Sequence, residues 1–435
     1  MEQRTIKTKK ILLGVILFLL ICPLIQNKLQ LLSLEPLKGD IRKPERSQFS
    51  LSRWFSGDYQ IGQEKYLNET FGFRSTMVRV NNQLAYNVFN EAKANGVIIG
   101  KDNYLFEINY IKAYYGTDFI GAVSIRERMK QLKFVQDTLA KMNKTLLLVF
   151  APGKASFYPE YIPRKYHRER TTTNIQFFSQ MADSLNVNYI DFNKYFMLNK
   201  NKAEYPLYPK YGIHWSFYST CLAADSMIKK LEFLRHTDLH GFTLGEMNVE
   251  ESKEMDYDLA DGMNLLFKLK SKKMAYPLLY FEVDSTKPRL NSMVVSDSYY
   301  WLMFNNSFSR TFGENEFWYY NRLIYRANHT EIRDATTANL TEEIAKNDVI
   351  VILCTEANLT RLGWGFIQQA YNLYSGQAPV PVIEEEFPVK VKNLADYIKS
   401  NPDWRKSVEA KAAAKGISID SVAVEDAIYQ IRHER

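Results

Sequence analysis

The chain has 435 residues, 46% of them hydrophobic and 24% charged, with only 14 Pro and 19 Gly. At about 150 residues per domain that is two to three domains' worth of chain, enough for a sizeable core, and the composition excludes disordered, collagen-like and low-complexity classes. Lys+Arg exceeds Asp+Glu by 56 to 49, a net +7 with no basic block interleaved with aromatics, so nucleic acid is not an expected partner.

Arg4, Lys7, Lys9 and Lys10 precede a 15-residue apolar run from Ile11 to Ile25. Cytoplasmic retention of the positive end predicts that the rest of the chain is translocated. The run alone covers roughly 22 Å of a hydrocarbon core about 30 Å thick, and is completed by Lys28–Leu34 or by snorkelling of Lys9 and Lys10. Small residues are poorly placed after Ile25 for signal cleavage, and Ile21 before Cys22 is bulky for a lipoprotein site, so an uncleaved inner-membrane anchor is the expectation, with a signal peptide as the alternative. Either way the bulk of the chain lies in the periplasm or outside the cell.

We divide the chain into a tail and anchor over 1–34, a spacer over 35–60, one large unit over 61–383 and a helical appendage over 384–435, where strand signals stop and Ala and charge take over. A short helix is expected near Ser52–Trp54, and Gly100–Phe106 reads as a turn between two short strands. Ile125, Met129, Leu132, Val135, Leu139 and Met142 fall at helical spacing, followed by the aliphatic run Thr145–Phe150, the mark of a strand covered on both faces. A helix over Ile175–Leu185, a strand at Val187–Ile190, a helix over Phe217–Leu231 and buried strands at Met293–Val295 and Val349–Leu353 continue the alternation. This predicts an α/β fold with a three-layer, mostly parallel sheet. Cys22, Cys221 and Cys354 have no CxxC spacing, which excludes a Cys-based zinc site; one Cys221–Cys354 bridge or two buried thiols are both open.

Ligands of open α/β sheets bind beyond the carboxyl ends of the strands. Ala151–Ser156 follows one strand, Ser296–Tyr299 another and Thr355–Asn358 a third, while Tyr211–Ser216 precedes a helix. Ser298 is the candidate nucleophile, on a strand-to-helix turn that exposes its hydroxyl, and His214 is the candidate base. A Ser after a strand is also a common helix N-cap, and a His beside Trp is often structural. Lys154 is a candidate contact for an anionic sugar or developing charge, though a plain surface Lys fits as well. Glu356 and Asn358 are candidates for substrate hydroxyls, with helix capping as the other reading. Trp215 can pack on the imidazole, and Tyr299 opens an aromatic-dense stretch to Tyr325 that could offer stacking faces to a sugar or simply fill the core. HExxH, Walker and dinucleotide motifs are absent from the sequence, so no metal or cofactor is expected.

These segments resemble the SGNH-hydrolase-like proteins of the AlgX/AlgJ, or alginate O-acetyltransferase, type. The resemblance rests on Phe71–Arg74, Gly100–Phe106, Pro152–Lys154 with Tyr158–Glu160, Gly212–Ser216, Val295–Tyr299 and Thr355–Leu359, spanning roughly residues 50–375. The order His214 before Ser298 is that of the rearranged AlgX-type domain. The resemblance implies a membrane-anchored O-acetyltransferase acting on an exported or cell-envelope polysaccharide. Its acyl donor would be delivered by a membrane-bound O-acyltransferase, with Ser298 taking the acetyl group and His214 its proton. A carbohydrate acetylesterase with the same residues and a non-catalytic glycan-binding partner are the alternatives. One departure stands out: the family places an Asp two residues before the His, and here that position is Gly212. A Ser–His pair without an orienting carboxylate loses about 10⁴-fold in rate. Asp256, Asp258 and Asp261 are the candidate substitutes, Asp258 first, with solvated loop acids as the bland reading.

Overall fold

The computed structural model describes residues 2–39 and 45–376, and parts of 394–427. Eleven strands are described: β1 Val97–Ile99, β2 Leu105–Glu107, β3 Thr145–Ala151, β4 Tyr189–Asp191, β5 Phe242–Glu251, β6 Lys273–Phe281, β7 Ser292–Ser296, β8 Asn315–Tyr319, β9 Leu323–Arg326, β10 Arg333–Asp334 and β11 Val349–Thr355. Seven form the central sheet in the order β10-β9-β8-β7-β11-β3-β4. The five from β8 to β4 run parallel, and β9 and β10 add an antiparallel margin.

Alternation along the aliphatic strands explains the three layers. Leu147, Val149 and Ala151 of β3 enter one core, with Val349, Val351 and Leu353 of β11. Leu146, Leu148 and Phe150 enter the opposite core, with Ile350, Ile352 and Cys354. A residue-by-residue period of two with both faces apolar has no polar side to present to water, so helices must cover both. Helix Ala122–Lys141 covers the second face through Ile125, Met129, Leu132, Val135 and Leu139. Helix Phe217–Arg235 covers the first through Ala223, Ala224, Met227, Ile228 and Leu231.

The apolar run at the amino end lies within a helix over Glu2–Leu29, of which Ile6–Leu29 has mean hydropathy 2.2. Those 24 residues extend about 36 Å, so the apolar helix is longer than the Ile11–Ile25 run by itself indicates, and long enough to cross a membrane. Inside the stretch read as spacer, helix Leu51–Ser56 surrounds the expected Ser52–Trp54, and helices Asp58–Thr70 and Arg74–Phe89 follow. The turn Gly100–Phe106 joins β1 to β2, which pair antiparallel. Sequence periodicity did not single out the antiparallel pair β5–β6, because β5 is mostly exposed and polar and the apolar run of β6 is interrupted by Pro277. Cys221 and Cys354 are separate buried thiols. In the carboxyl-terminal stretch a helix runs over Pro402–Lys415; 384–393 and 428–435 of the expected appendage lie outside the described residues.

Candidate functional site

Strands β7, β11 and β3 are neighbours in the sheet, so the segments that follow them emerge side by side. After β7 the chain turns at Asp297 into a 3₁₀ turn over Ser298–Tyr300. The capping duty falls on Asp297, whose Oδ1 accepts from the Tyr299 backbone N–H at 3.1 Å. Its Oδ2 accepts from the Thr355 backbone N–H (3.0 Å), the Thr355 hydroxyl (2.9 Å) and Asn358 Nδ2 (2.9 Å). Asp297 thus ties the end of β7 to the end of β11, and the hydroxyl of Ser298 is released from capping.

That hydroxyl donates to His214 Nε2 at 2.8 Å. On the other side of the ring, Nδ1 donates to Asp258 Oδ2 at 2.6 Å, while Asp258 Oδ1 accepts from the Ile213 backbone N–H at 2.8 Å. The carboxylate therefore holds both the imidazole and the backbone beside it. Ser298, His214 and Asp258 form one hydrogen-bonded line, with His214 buried and Ser298 and Asp258 half-buried. Chemically this can draw a proton from the serine hydroxyl and stabilise the imidazolium that results.

Asp258 reaches the ring because the segment Met255–Asp256 crosses directly over Gly212. A Cβ at position 212 would collide with the Met255 carbonyl oxygen, and would lie 2.8 Å from Pro209 Cγ. Asp258 then starts a short helix over Asp258–Gly262, docked by the Ala260 N–H on the Tyr211 carbonyl. Of the other two candidate acids, Asp256 is buried and its carboxyl is pushed up to about 7 by burial, and Asp261 pairs with Lys38 at 2.6 Å. Neither touches the ring.

Several expected substrate contacts are placed elsewhere. Lys154 is fully buried rather than exposed to a sugar, and its Nζ donates to the carbonyls of Lys210 (2.9 Å) and Gly212 (2.5 Å), fastening the loop that carries His214. Burial lowers its pKa to about 7 against the opposing pull of Asp258 and Asp256. Trp215 is also fully buried; its indole N–H donates to the Tyr299 carbonyl, and the ring that packs on the imidazole is Tyr299, with centroids 4.8 Å apart. Tyr299 itself is buried and donates to the Ile213 carbonyl at 2.6 Å, so it braces the site instead of stacking on a sugar. Asn358 is half-buried, with Nδ2 donating to Asp297 and to Thr355 Oγ1. Most of the aromatic stretch, including Tyr300, Phe308, Phe317 and Trp318, is core.

Glu356 is buried against Gly153, whose missing Cβ makes room for the carboxyl, so it does not face a cleft. Burial pushes its pKa from 4.5 to about 7. The folded state then keeps a proton that the unfolded chain has already lost between those two values, so stability falls as pH rises through that window. Glu356→Gln removes the titration. The stability difference between variant and wild type is expected to grow in the variant's favour from pH 4.5 to 7.5, by at most about 3 kcal/mol. Thermal melts across that range check it, and parallel curves would refute it.

A parallel-centred α/β sheet covered on both faces, with a Ser, a His and an Asp gathered past its strand ends, is the architecture of the SGNH hydrolase-like proteins. Within them the chain is similar to the AlgX/AlgJ type: the family described as "SGNH hydrolase-like domain, acetyltransferase AlgX" matches residues 97–277, a stretch that holds His214 and Asp258 and stops before Ser298. A curated relative, "Probable alginate O-acetylase AlgJ" of Pseudomonas putida, is 23% identical over 164 residues, 38% of this chain and 41% of the relative, so the chain matches well under half of that protein's length. Among solved structures, the O-acetyltransferase domain of Pseudomonas putida AlgJ is 18% identical with TM-score 0.44, covering 64% of this chain and 99% of that one. Pseudomonas aeruginosa AlgX is 13% identical with TM-score 0.41, over 65% of this chain and 69% of its own. Bacillus cereus PatB1 is 11% identical with TM-score 0.38, over 60% of this chain and 96% of its own.

Proposed function

We propose that this protein is an extracytoplasmic O-acetyltransferase, held to the cytoplasmic membrane by the helix through Ile6–Leu29, that moves acetyl groups onto polysaccharide hydroxyls by way of an acetyl ester on Ser298. The observation that carries it is the hydrogen-bonded line Asp258–His214–Ser298. Such a line has the parts acyl transfer needs: a hydroxyl, a base in reach of its proton, and a carboxylate fixing the base's tautomer. It favours an enzyme over a binding scaffold. The kinship with a probable alginate O-acetylase makes alginate the first polysaccharide to offer. A membrane-bound O-acyltransferase is the proposed source of the acyl group, and the division into anchor, spacer, catalytic unit over 61–383 and appendage is part of the same proposal.

Transfer and hydrolysis share Ser298 and part only at the second step, where a sugar hydroxyl or water takes the acetyl group. Purified full-length protein in detergent, given p-nitrophenyl acetate with and without alginate, is expected to release p-nitrophenol, to carry acetyl on the Ser298 peptide in mass spectra, and to yield acetylated glycan. Free acetate as the sole product would make it an esterase. Absence of both turnover and acetyl-Ser298 would overturn the acyl-transfer reading.

A further inference from the structure

Acyl transfer through Ser298 also needs a donor for the oxygen that becomes negative when the hydroxyl adds to the carbonyl. In strand-to-helix nucleophile turns the backbone N–H of the next residue usually supplies it. Here that group is committed: the Tyr299 N–H donates to Asp297 Oδ1. The side-chain amide of Asn358 is committed too, with Nδ2 donating to Asp297 Oδ2 and Thr355 Oγ1. Two of the donors near the nucleophile are thus spent on bracing its turn.

A third donor comes from the neighbouring strand. Strand β8 lies beside β7 with Tyr319 opposite Ser296, and the Tyr320 backbone N–H donates to the Ser296 carbonyl at 2.8 Å. Tyr320 therefore stands one position beyond the sheet edge, as Ser298 stands two beyond it. The side chains of Tyr320 and Ser298 are close enough to interact. The three-residue link between β8 and β9 begins with Tyr320 and Asn321 both in the left-handed region, at φ 51° and 52°. A bulky residue rarely adopts that conformation, and such residues concentrate at functional sites where the surroundings impose them. What imposes it here is visible. Asn321 Nδ2 donates to the Trp364 carbonyl and to Gln369 Oε1, each at 3.0 Å, and the Trp364 ring meets the Tyr320 ring edge-on at 5.2 Å. Trp364 is itself left-handed at φ 44°. The half-buried Tyr320 ring is clamped between the hairpin tip and the kinked segment after β11.

We infer that the Tyr320 hydroxyl is the side-chain oxyanion donor of this site. The inference rests on the acyl-transfer reading above. Ser298 Oγ bonds to the carbonyl carbon of an acyl ester while its proton passes to His214 Nε2, and the carbonyl π pair moves onto oxygen. The Tyr320 O–H, beside Ser298, donates to that oxygen and keeps its proton throughout. Collapse restores the carbonyl, breaks the bond to the leaving oxygen and returns the proton from His214 to it. Burial, with Asp297 nearby, holds the phenol well above its ordinary pKa, so it stays a donor at neutral pH.

Tyr320→Phe keeps the ring and its contact with Trp364 and removes only the hydroxyl. In full-length protein, kcat for p-nitrophenyl acetate is expected to fall about 10²–10³-fold with KM nearly unchanged, as for loss of one oxyanion donor. The melting temperature and the imidazole-dependent limb of the pH profile should stay where they are, which a merely structural role would not predict. Tyr325→Phe, on the far strand of the same hairpin, should keep wild-type kcat. Wild-type kcat in Tyr320→Phe, alongside a dead Ser298→Ala, would overturn the oxyanion assignment alone. Wild-type turnover no higher than that of Ser298→Ala would overturn acyl transfer, and this inference with it.

Discussion

Ser298→Ala is expected to cut acetyl-ester turnover on the order of 10⁶-fold, and His214→Ala to cost nearly as much, because nucleophile and base act as one unit. The double variant Ser298→Ala/His214→Ala should lose no more than either single change. Steady-state turnover of the three variants checks this; losses that multiply would mean that the two side chains work separately, whatever their 2.8 Å contact. Folding should be little affected. The serine is half-buried, and removing its hydroxyl leaves the Asp297 bracing of Tyr299, Thr355 and Asn358 in place. A large drop in melting temperature in Ser298→Ala would instead expose a structural role. The acetyl ester on the Ser298 peptide should vanish in that variant and persist with reduced yield in Tyr320→Phe.

The layers of the fold were legible because they are written in unbroken apolar runs. Thr145–Phe150 and Val349–Leu353 can be soluble only as strands covered on both faces, and the helices that cover them carry a clear 3.6-residue period. The pairing of Ser298 with His214 was legible from the placement of their turns at strand and helix ends and from the family resemblance. What the sequence hid was direction. Lys154 follows a strand, where a lysine ordinarily reaches solvent, yet its ammonium is taken up by two carbonyls of the His214 loop. Trp215 and Tyr299 both adjoin the site in sequence, and only the turn geometry decides that the phenol ring, not the indole, lies on the imidazole. Glu356 points into the fold because Gly153 leaves a Cβ-sized space for it. Tyr320 was lost among the aromatics between Tyr299 and Tyr325, since its relation to Ser298 depends on the register of β7 with β8, which no local pattern states.

Asp258→Asn is expected to lower turnover about 10⁴-fold with little loss of stability, because an amide cannot impose the tautomer that leaves Nε2 free to accept the serine proton. The companion expectation concerns Gly212, the position at which the AlgX/AlgJ resemblance implies an acid. If the position were simply vacant, Gly212→Asp in the Asp258→Asn background would restore activity. The backbone around it predicts the opposite. The Met255 carbonyl occupies the space a Cβ would need, and the Gly212 carbonyl is held by Lys154 Nζ, so residue 212 cannot draw back from the segment over it without breaking the anchorage of the loop that carries His214. The double variant should be no more active than Asp258→Asn and less stable than it, by about 1–3 kcal/mol for overpacking at a tight site. Turnover and thermal melts of both variants decide the matter. Rescue by Gly212→Asp would mean that the Met255–Asp258 segment is free to move aside, and that the site tolerates its acid in either place. Failure to rescue, with Asp258→Asn nearly inactive, would mean that the loss of a side chain at 212 and the arrival of the carboxylate at 258 are one structural change: the segment that delivers the new acid fills the space of the old one.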